Sequence, residues 1–275
     1  MKIGIVGLGL MGASFAKALK RYTSHTVLGL DRDPAVRESA LHDGAVDEVH
    51  EDPAFLSQCA VTFLCLFPVQ TVAFVKENLS HFQKGSIVAD ICGIKGYVVN
   101  ALSQMELPFI YLPSHPMAGR EVCGYHGSLE SLFVGASYIC TPVDAPQYAV
   151  DTLESLVRSI GFTDFVVTTP ADHDRIIAFT SQLPHVISNA YVKSPSCSKH
   201  NGFSAGSYKD LSRVAKLNEE MWSDLFLLNR ESLLSELDTL LQNLAQYRDA
   251  LAREDRDALR DLLREGRIIK EECDQ

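Results

Sequence analysis

From its first residues the chain alternates short, almost wholly apolar runs with longer stretches in which apolar positions recur at helical spacing. The apolar runs are Lys2–Gly7, Thr26–Asp31, Ala60–Leu66, Ser86–Asp90, Phe109–Ser114, Tyr138–Thr141 and Phe165–Val167. Rich in Val, Ile and Leu and too short for helices, they predict strands. Most are continuously apolar rather than alternating, as strands are when both sheet faces are covered. Helices are predicted between them over Gly12–Arg21, Pro34–Asp43, Val69–Asn78 and Ala145–Ser159. Strand and helix in repeated alternation make a doubly wound, mostly parallel sheet of Rossmann type the expected first domain.

The strand signal stops after Thr169-Pro170. A helix is predicted over Asp172–Ser194, with Pro184 bending or breaking it. The Gly/Ser-rich stretch Ser194–Ser207 predicts a loop. Beyond it Leu233, Leu237, Leu240, Leu244, Tyr247 and Leu251 recur at alternating spacings of four and three, one apolar stripe along a long helix. Leu259, Leu262 and Leu263 begin a second, shorter one. The expected division is an α/β domain over residues 1–168 and an all-helical domain over 169–275. The stripe suits either packing within the chain or a homodimer through the C-terminal helices, and the dimer is the expectation carried forward.

The first strand runs into Gly7-Leu8-Gly9-Leu10-Met11-Gly12, a G-x-G-x-x-G spacing, and a helix follows. Gly7 permits a tight turn, Gly9 lets backbone approach a pyrophosphate, and Gly12 lets helix and strand pack closely. The diphosphate would lie on the helix N-terminus, where unpaired amides and the helix dipole favour an anion. Three glycines alone are weak evidence, but Asp31 closes the second predicted strand, nineteen residues past Gly12. That is where an acid hydrogen-bonds the adenosine ribose. An acid there repels a 2′-phosphate, although Arg32 beside it works the other way. NAD is therefore the expected cofactor. Leu8, Leu10, Met11, Arg32, Leu66 and Pro68 complete the expected cofactor-binding set.

Composition narrows the partners. The chain of 275 residues carries a formal charge of −10, which argues against nucleic acid or an anionic membrane as partner. No apolar run is long enough to span a bilayer, and the chain enters a strand at once, without a leader pattern. Seven cysteines, an odd number with no C-x-x-C pair, fit free thiols in a reducing compartment. The cytoplasm is the expected location, and no metal is expected.

Residues 114–121 read S-H-P-M-A-G-R-E, placing His115 at the end of a predicted strand and before a proline that keeps it extended. Ligands of open α/β folds bind at that edge, and a neutral imidazole there can take a hydroxyl proton as hydride leaves the same carbon. With no such context a lone histidine is more often structural.

The glycine motif, then H-P-M-A-G-R-E, then Leu183-Pro184-His185, then K-D-L-S-R-V-A over Lys209–Ala215, followed by M-W-S-D-L-F, resembles the prephenate dehydrogenase family, arogenate dehydrogenases included. The motifs keep their order from Lys2 to about Leu251. The resemblance implies an oxidative decarboxylation: hydride passes to NAD from the ring carbon bearing the hydroxyl, carbon dioxide leaves, and the ring becomes aromatic. It maps His115 to the catalytic histidine, His185 to a second substrate-contacting histidine, Arg213 to the arginine that holds a substrate carboxylate, and Glu121 to an acid near the site mouth. It also implies a Rossmann domain followed by a helical dimerisation domain.

The residues by themselves say less. Arg213 could be a solvated charge on a helix, though an acidic protein binding a dicarboxylate needs a fixed cation. His185 and the pair His173-Asp174 read as structural, although the family the chain resembles has a similar pair. In one place the chain departs from the family, because many members carry serine where D-I-C-G-I-K, Asp90 to Lys95, has Gly93. Gly93 stays in the substrate-binding set, with the hydroxyl's role passing to water, to a backbone group or to nothing. Prephenate and arogenate differ only in a keto against an amino group, which no residue separates. The rival readings are a β-hydroxyacid dehydrogenase, which shares the glycine opening but wants a lysine in a spacing Lys209 does not have, and a non-catalytic NAD-binding protein.

Overall fold

The structure, a computed structural model, describes residues 1–120 and 122–274. Six parallel strands form the main sheet: β1 (Lys2–Val6), β2 (Thr26–Leu30), β3 (Glu48–His50), β4 (Val61–Leu64), β5 (Ile87–Asp90) and β6 (Ile110–Leu112), in the order 3-2-1-4-5-6. The connecting helices are α1 (Leu10–Tyr22), α2 (Pro34–His42), α3 (Pro68–Asn78) and α4 (Gly96–Leu102). Both sheet faces are covered, which is why the strands read as continuous apolar runs. Ile3 and Ile5 face Phe15 and Phe63 in one core, and Val6 faces Phe55, Leu56 and Leu64 in the other. Strand β3 and helix α4 were not foreseen; three and seven residues are too few to show a period.

The strand expected over Phe109–Ser114 is in fact two. Pro113 has no amide to extend the ladder, so β6 ends at Leu112 and the chain enters β7 (Ser114–Pro116). β7 opens a second sheet: it pairs antiparallel with β8 (Ser137–Cys140), His115 opposite Ile139, and β8 pairs parallel with β9 (Asp164–Val167). His115 is therefore the middle residue of a strand in the smaller sheet and does not end a strand of the main one. Helix α5 (Gln147–Ser159) backs this sheet. Phe15, Phe133 and Phe162, with ring centroids 4.4 and 4.8 Å apart in sequence, lock it to α1.

After β9 the elements among the described residues are all helical: α6 (Pro170–Ile177), α7 (Leu183–Tyr191), α8 (Gly206–Ser212), α9 (Glu219–Leu228), α10 (Arg230–Ala252) and α11 (Arg256–Cys273). The helix expected over Asp172–Ser194 is broken as Pro184 requires. A π turn over Ala178–Gln182 separates α6 from α7 and takes up the register that the proline disrupts. On α10 the stripe is covered only in part, since Leu233 is buried while Leu244 and Leu251 are exposed. Leu234 and Leu241 on α10 and Leu263, Ile268 and Ile269 on α11 are exposed as well. No helix among the described residues is long and apolar enough to cross a membrane.

All seven cysteines are free. Burial pushes the thiols of Cys59 and Cys140 up to about 12, whereas Cys123 and Cys273 are exposed. A thiol reagent at neutral pH should therefore modify those two quickly in the native protein and all seven after denaturation. Rapid native labelling of Cys59 or Cys140 would contradict the packing described.

Candidate active site

Strand order reverses at β1, between β2 and β4, and the glycine turn sits at the carboxyl end of β1 at that switch point. Gly7 has φ +88°, and a Cβ there would meet the Cys65 carbonyl oxygen at 2.7 Å. A Cβ on Gly12 would lie 1.8 Å from the Gly7 carbonyl oxygen, so the helix can come this close only with glycine. A Cβ on Gly9 would meet nothing within 4 Å. Gly9 caps α1 without a side-chain hydrogen bond, so the first-turn amides at Leu10 and Met11 face open space. These features fit the diphosphate of a dinucleotide: a tight turn, close packing behind it, and room in front.

Leu66 flanks this space, its Cδ2 3.0 Å from where a Gly7 Cβ would stand, and Pro68 starts α3 beside it. Asp31 follows β2, its Oδ2 accepting from the Leu8 amide at 2.7 Å and its Oδ1 from the Asp33 amide at 2.9 Å. The carboxylate is thus held against the glycine turn. Arg32 is exposed. Arg37, unnoticed in the sequence, donates to the carbonyls of Asp31 and Arg32 and pairs with Glu51. Its cation is committed to that scaffolding.

A second cluster lies past the ends of β5 and β6. Asp90 and Lys95 are both fully buried and ion-paired, and Lys95 Nζ also donates to the Ser114 carbonyl at 2.5 Å. Asp90 Oδ1 accepts from Tyr111 at 2.8 Å, and its Oδ2 from the Cys92 amide at 2.9 Å. A buried pair with every polar atom engaged persists where a bare charge would cost several kcal/mol. It joins the loop carrying Gly93 to the strand carrying His115. A Cβ on Gly93 would stand 3.8 Å from His115 Nε2 and 4.0 Å from Leu225 Cδ2. Cys92 points away, toward Thr71 and the Leu66 carbonyl.

His115 Nδ1 lies 2.9 Å from His173 Nε2, and His173 Nδ1 lies 2.7 Å from Asp174 Oδ1. The pair read as structural therefore touches the candidate base. Burial, then His173 and Lys95, hold His115 well below the ordinary histidine range. Its imidazole is neutral at neutral pH. His185 donates from Nδ1 to the Ser181 carbonyl at 2.8 Å and stacks on Trp222 with ring centroids 3.8 Å apart. Trp222 and Leu225 are one turn apart on α9, so that helix touches both His185 and the Gly93 side. Arg213 is exposed, in a 3₁₀ turn (Arg213–Ala215) after α8 and not inside a helix; the turn packs on α7. Glu121 lies outside the described residues. Trp222 lies inside the M-W-S-D-L-F motif and His173-Asp174 is a visible pair in the sequence, but neither shows there which side chain it meets; the packing of distant elements reveals that.

Residues 15–163 match the family model for the prephenate dehydrogenase nucleotide-binding domain, and residues 169–265 that for the prephenate dehydrogenase dimerization domain. The chain belongs to the prephenate dehydrogenase family. It is 30% identical over 277 residues to a cyclohexadienyl dehydrogenase of Zymomonas mobilis, covering 96% of this chain and 93% of that one. Among solved structures, the Synechocystis arogenate dehydrogenase superposes with a TM-score of 0.85 at 29% identity, over 99% of each chain. A prephenate dehydrogenase from A. aeolicus, in complex with hydroxyphenyl propionate and NAD+, gives 0.86 at 26% identity, over 99% of this chain and 98% of that one.

Two outcomes follow for this prephenate dehydrogenase family member. Gly12→Ala should cost about 1–3 kcal/mol or more in urea unfolding, as overpacking does, whereas Gly9→Ala should leave the unfolding midpoint in place and weaken dinucleotide binding. Equal effects of the two on stability would contradict the geometry of the turn. Because the His115 pKa is lowered, its base form persists until the pH falls well below the ordinary value of about 6.5. The acid limb of kcat/KM should lie below that value; a limb at or above it would contradict a neutral, buried imidazole.

Proposed function

We propose that this chain oxidatively decarboxylates prephenate to 4-hydroxyphenylpyruvate, with residues 1–168 as the NAD-binding domain and 169–275 as the substrate and dimerisation domain. The observation that carries the reading is the neutral imidazole of His115, whose Nε2 meets no partner among the described residues and faces Gly93. When bound, NAD supplies the hydride acceptor. Gly7, Leu8, Gly9, Leu10, Met11 and Gly12 would hold its diphosphate, Asp31 would accept from its ribose hydroxyls, and Leu66 and Pro68 would flank it. The Asp31 carboxylate and the engaged guanidinium of Arg37 favour NAD over NADP, with Arg32 left on the rim.

His115 Nε2 accepts the hydrogen bond of the ring hydroxyl and draws its proton as hydride leaves the same carbon. Loss of the ring carboxylate as carbon dioxide returns its bonding pair to the ring, and the proton goes back to the phenolic oxygen. The net change is one hydride and one carbon dioxide lost. Arg213 grips a carboxylate as a two-pronged donor, and His185, fixed by Ser181 and Trp222, offers its Nε2 to the substrate. Gly93 leaves room beside the reacting hydroxyl where a side chain would otherwise stand. Glu121 belongs to this set on the family resemblance.

Family matches along the chain favour this reading over a β-hydroxyacid dehydrogenase or a non-catalytic NAD-binding protein. A relative named arogenate dehydrogenase and another named cyclohexadienyl dehydrogenase keep arogenate as the second substrate to assay. Exposed leucines and isoleucines on α10 and α11, in a region matching a dimerization domain, support a homodimer through those helices. The free thiols support a reducing compartment, the cytoplasm.

The test is formation of NADH, or NADPH, with prephenate and with arogenate. Prephenate with NAD should give the highest kcat/KM, and absence of turnover with either substrate would overturn the reading. His115→Asn should lower kcat by roughly 10²–10⁴-fold, the span of general acid–base catalysis, without changing NAD affinity. Arg213→Ala should chiefly raise KM.

A further inference from the structure

Two hydrogen bonds in series run from Asp174, in the helical domain, through His173 to the candidate base. Asp174 is the fixed end. Its Oδ1 accepts the Lys95 amide and its Oδ2 the Gly96 amide, both at 2.7 Å, at the start of α4. A carboxyl oxygen that meets an N–H must present a lone pair, so Asp174 is an acceptor on both sides. His173 Nδ1, 2.7 Å from Oδ1, therefore carries a proton. Burial holds His173 below the ordinary histidine range despite the neighbouring carboxylate, so the ring is neutral and its Nε2 carries a lone pair. His115 Nδ1, 2.9 Å from that lone pair, is the donor. The proton of a neutral His115 then lies on Nδ1, and Nε2 on the Gly93 side is bare.

From this order of donors and acceptors we infer that His173 and Asp174 are positioning residues, which lock His115 in the tautomer whose Nε2 can receive the substrate hydroxyl. The inference rests on the reading of His115 as the reacting base. The pair holds ring orientation as well as proton position, because the rings of His115 and His173 meet edge to face with centroids 5.2 Å apart. Reversal of the chain would need a proton on His173 Nε2 and leave His115 with Nε2–H, a donor facing a hydroxyl it should relieve of its proton. The fully buried cation of Lys95 stands against charging either ring. Gly96 is part of the device: a Cβ there would lie 3.0 Å from Asp174 Oδ2, so a side chain would crowd the carboxylate that sets the order.

Two readouts test this, and the first needs no substrate. Long-range ¹H–¹⁵N correlation on the labelled protein near neutral pH should show His115 with a pyrrole-type Nδ1 and a pyridine-type Nε2. A protonated Nε2 in the wild type would overturn the inference whatever the enzyme turns over, which separates its failure from failure of the proposed reaction. In His173→Phe the Nδ1 acceptor is gone, so the tautomer signal of His115 should mix or invert. Turnover should fall about 10²-fold or more, as when a triad's orienting partner is lost, with KM and NAD affinity unchanged. His173→Gln, whose side-chain oxygen can accept the Nδ1 proton, should restore the wild-type tautomer signal and most of the turnover. Wild-type turnover in His173→Phe, or lost turnover with the tautomer signal intact, would contradict the assignment; if that variant does not fold, the wild-type spectrum and His173→Gln decide.

Discussion

The carboxylate of Asp174 is the joint on which the site depends. It belongs to α6, in the helical domain, yet two of its hydrogen bonds go to amides at the start of α4 in the sheet domain and a third to His173. It serves as the N-terminal cap that α4 lacks from its own side chains. The backbone carbonyl of the same residue accepts from Asn229, which also reaches Gln182. A single residue thereby ties α4, α6 and the α9–α10 corner together. Moving it would shift His115, the Gly93 loop and the helices that face them.

The other half of the site obeys a steric constraint. Glycine at 7 and 12 lets α1 start almost in contact with the end of β1, and glycine at 9 leaves the amides of its first turn open. Asp31 is drawn onto the same turn by the Leu8 amide, so its carboxylate is oriented by the backbone it lies beside. Sheet geometry brings this cradle and the Gly93–His115 pair to one edge, because β1, β4 and β5 are parallel neighbours and all their carboxyl ends point the same way. The proposed binding cradle and the candidate base are adjacent for that reason.

The architecture was legible because apolar runs, helical periods and the glycine spacing are local signals. Most of the long elements follow from them, although the ten-residue helix α9 was not set apart. The split at Pro113 was missed although a proline amide cannot join a ladder; two apolar segments separated by one residue read as one strand. His115 stands out in the sequence as a candidate through its motif, but its surroundings do not. Its partner His173 is 58 residues away, and the bond between them exists only once β7 and α6 are packed together. The same holds for Trp222 against His185, and for Arg37, which reads as an ordinary helical charge until its guanidinium meets two carbonyls. Sequence shows which side chains can do chemistry, whereas hydrogen bonds between distant elements decide which of them are aimed at the substrate.

The most direct test of the account is a crystal structure of the protein with NAD and a 4-hydroxyphenyl product bound together. The account predicts the diphosphate over the amides of Leu10 and Met11, the ribose on Asp31, and the phenolic oxygen within hydrogen-bond reach of His115 Nε2 beside Gly93. A dinucleotide bound elsewhere, or an imidazole at 115 turned from the phenol, would contradict it.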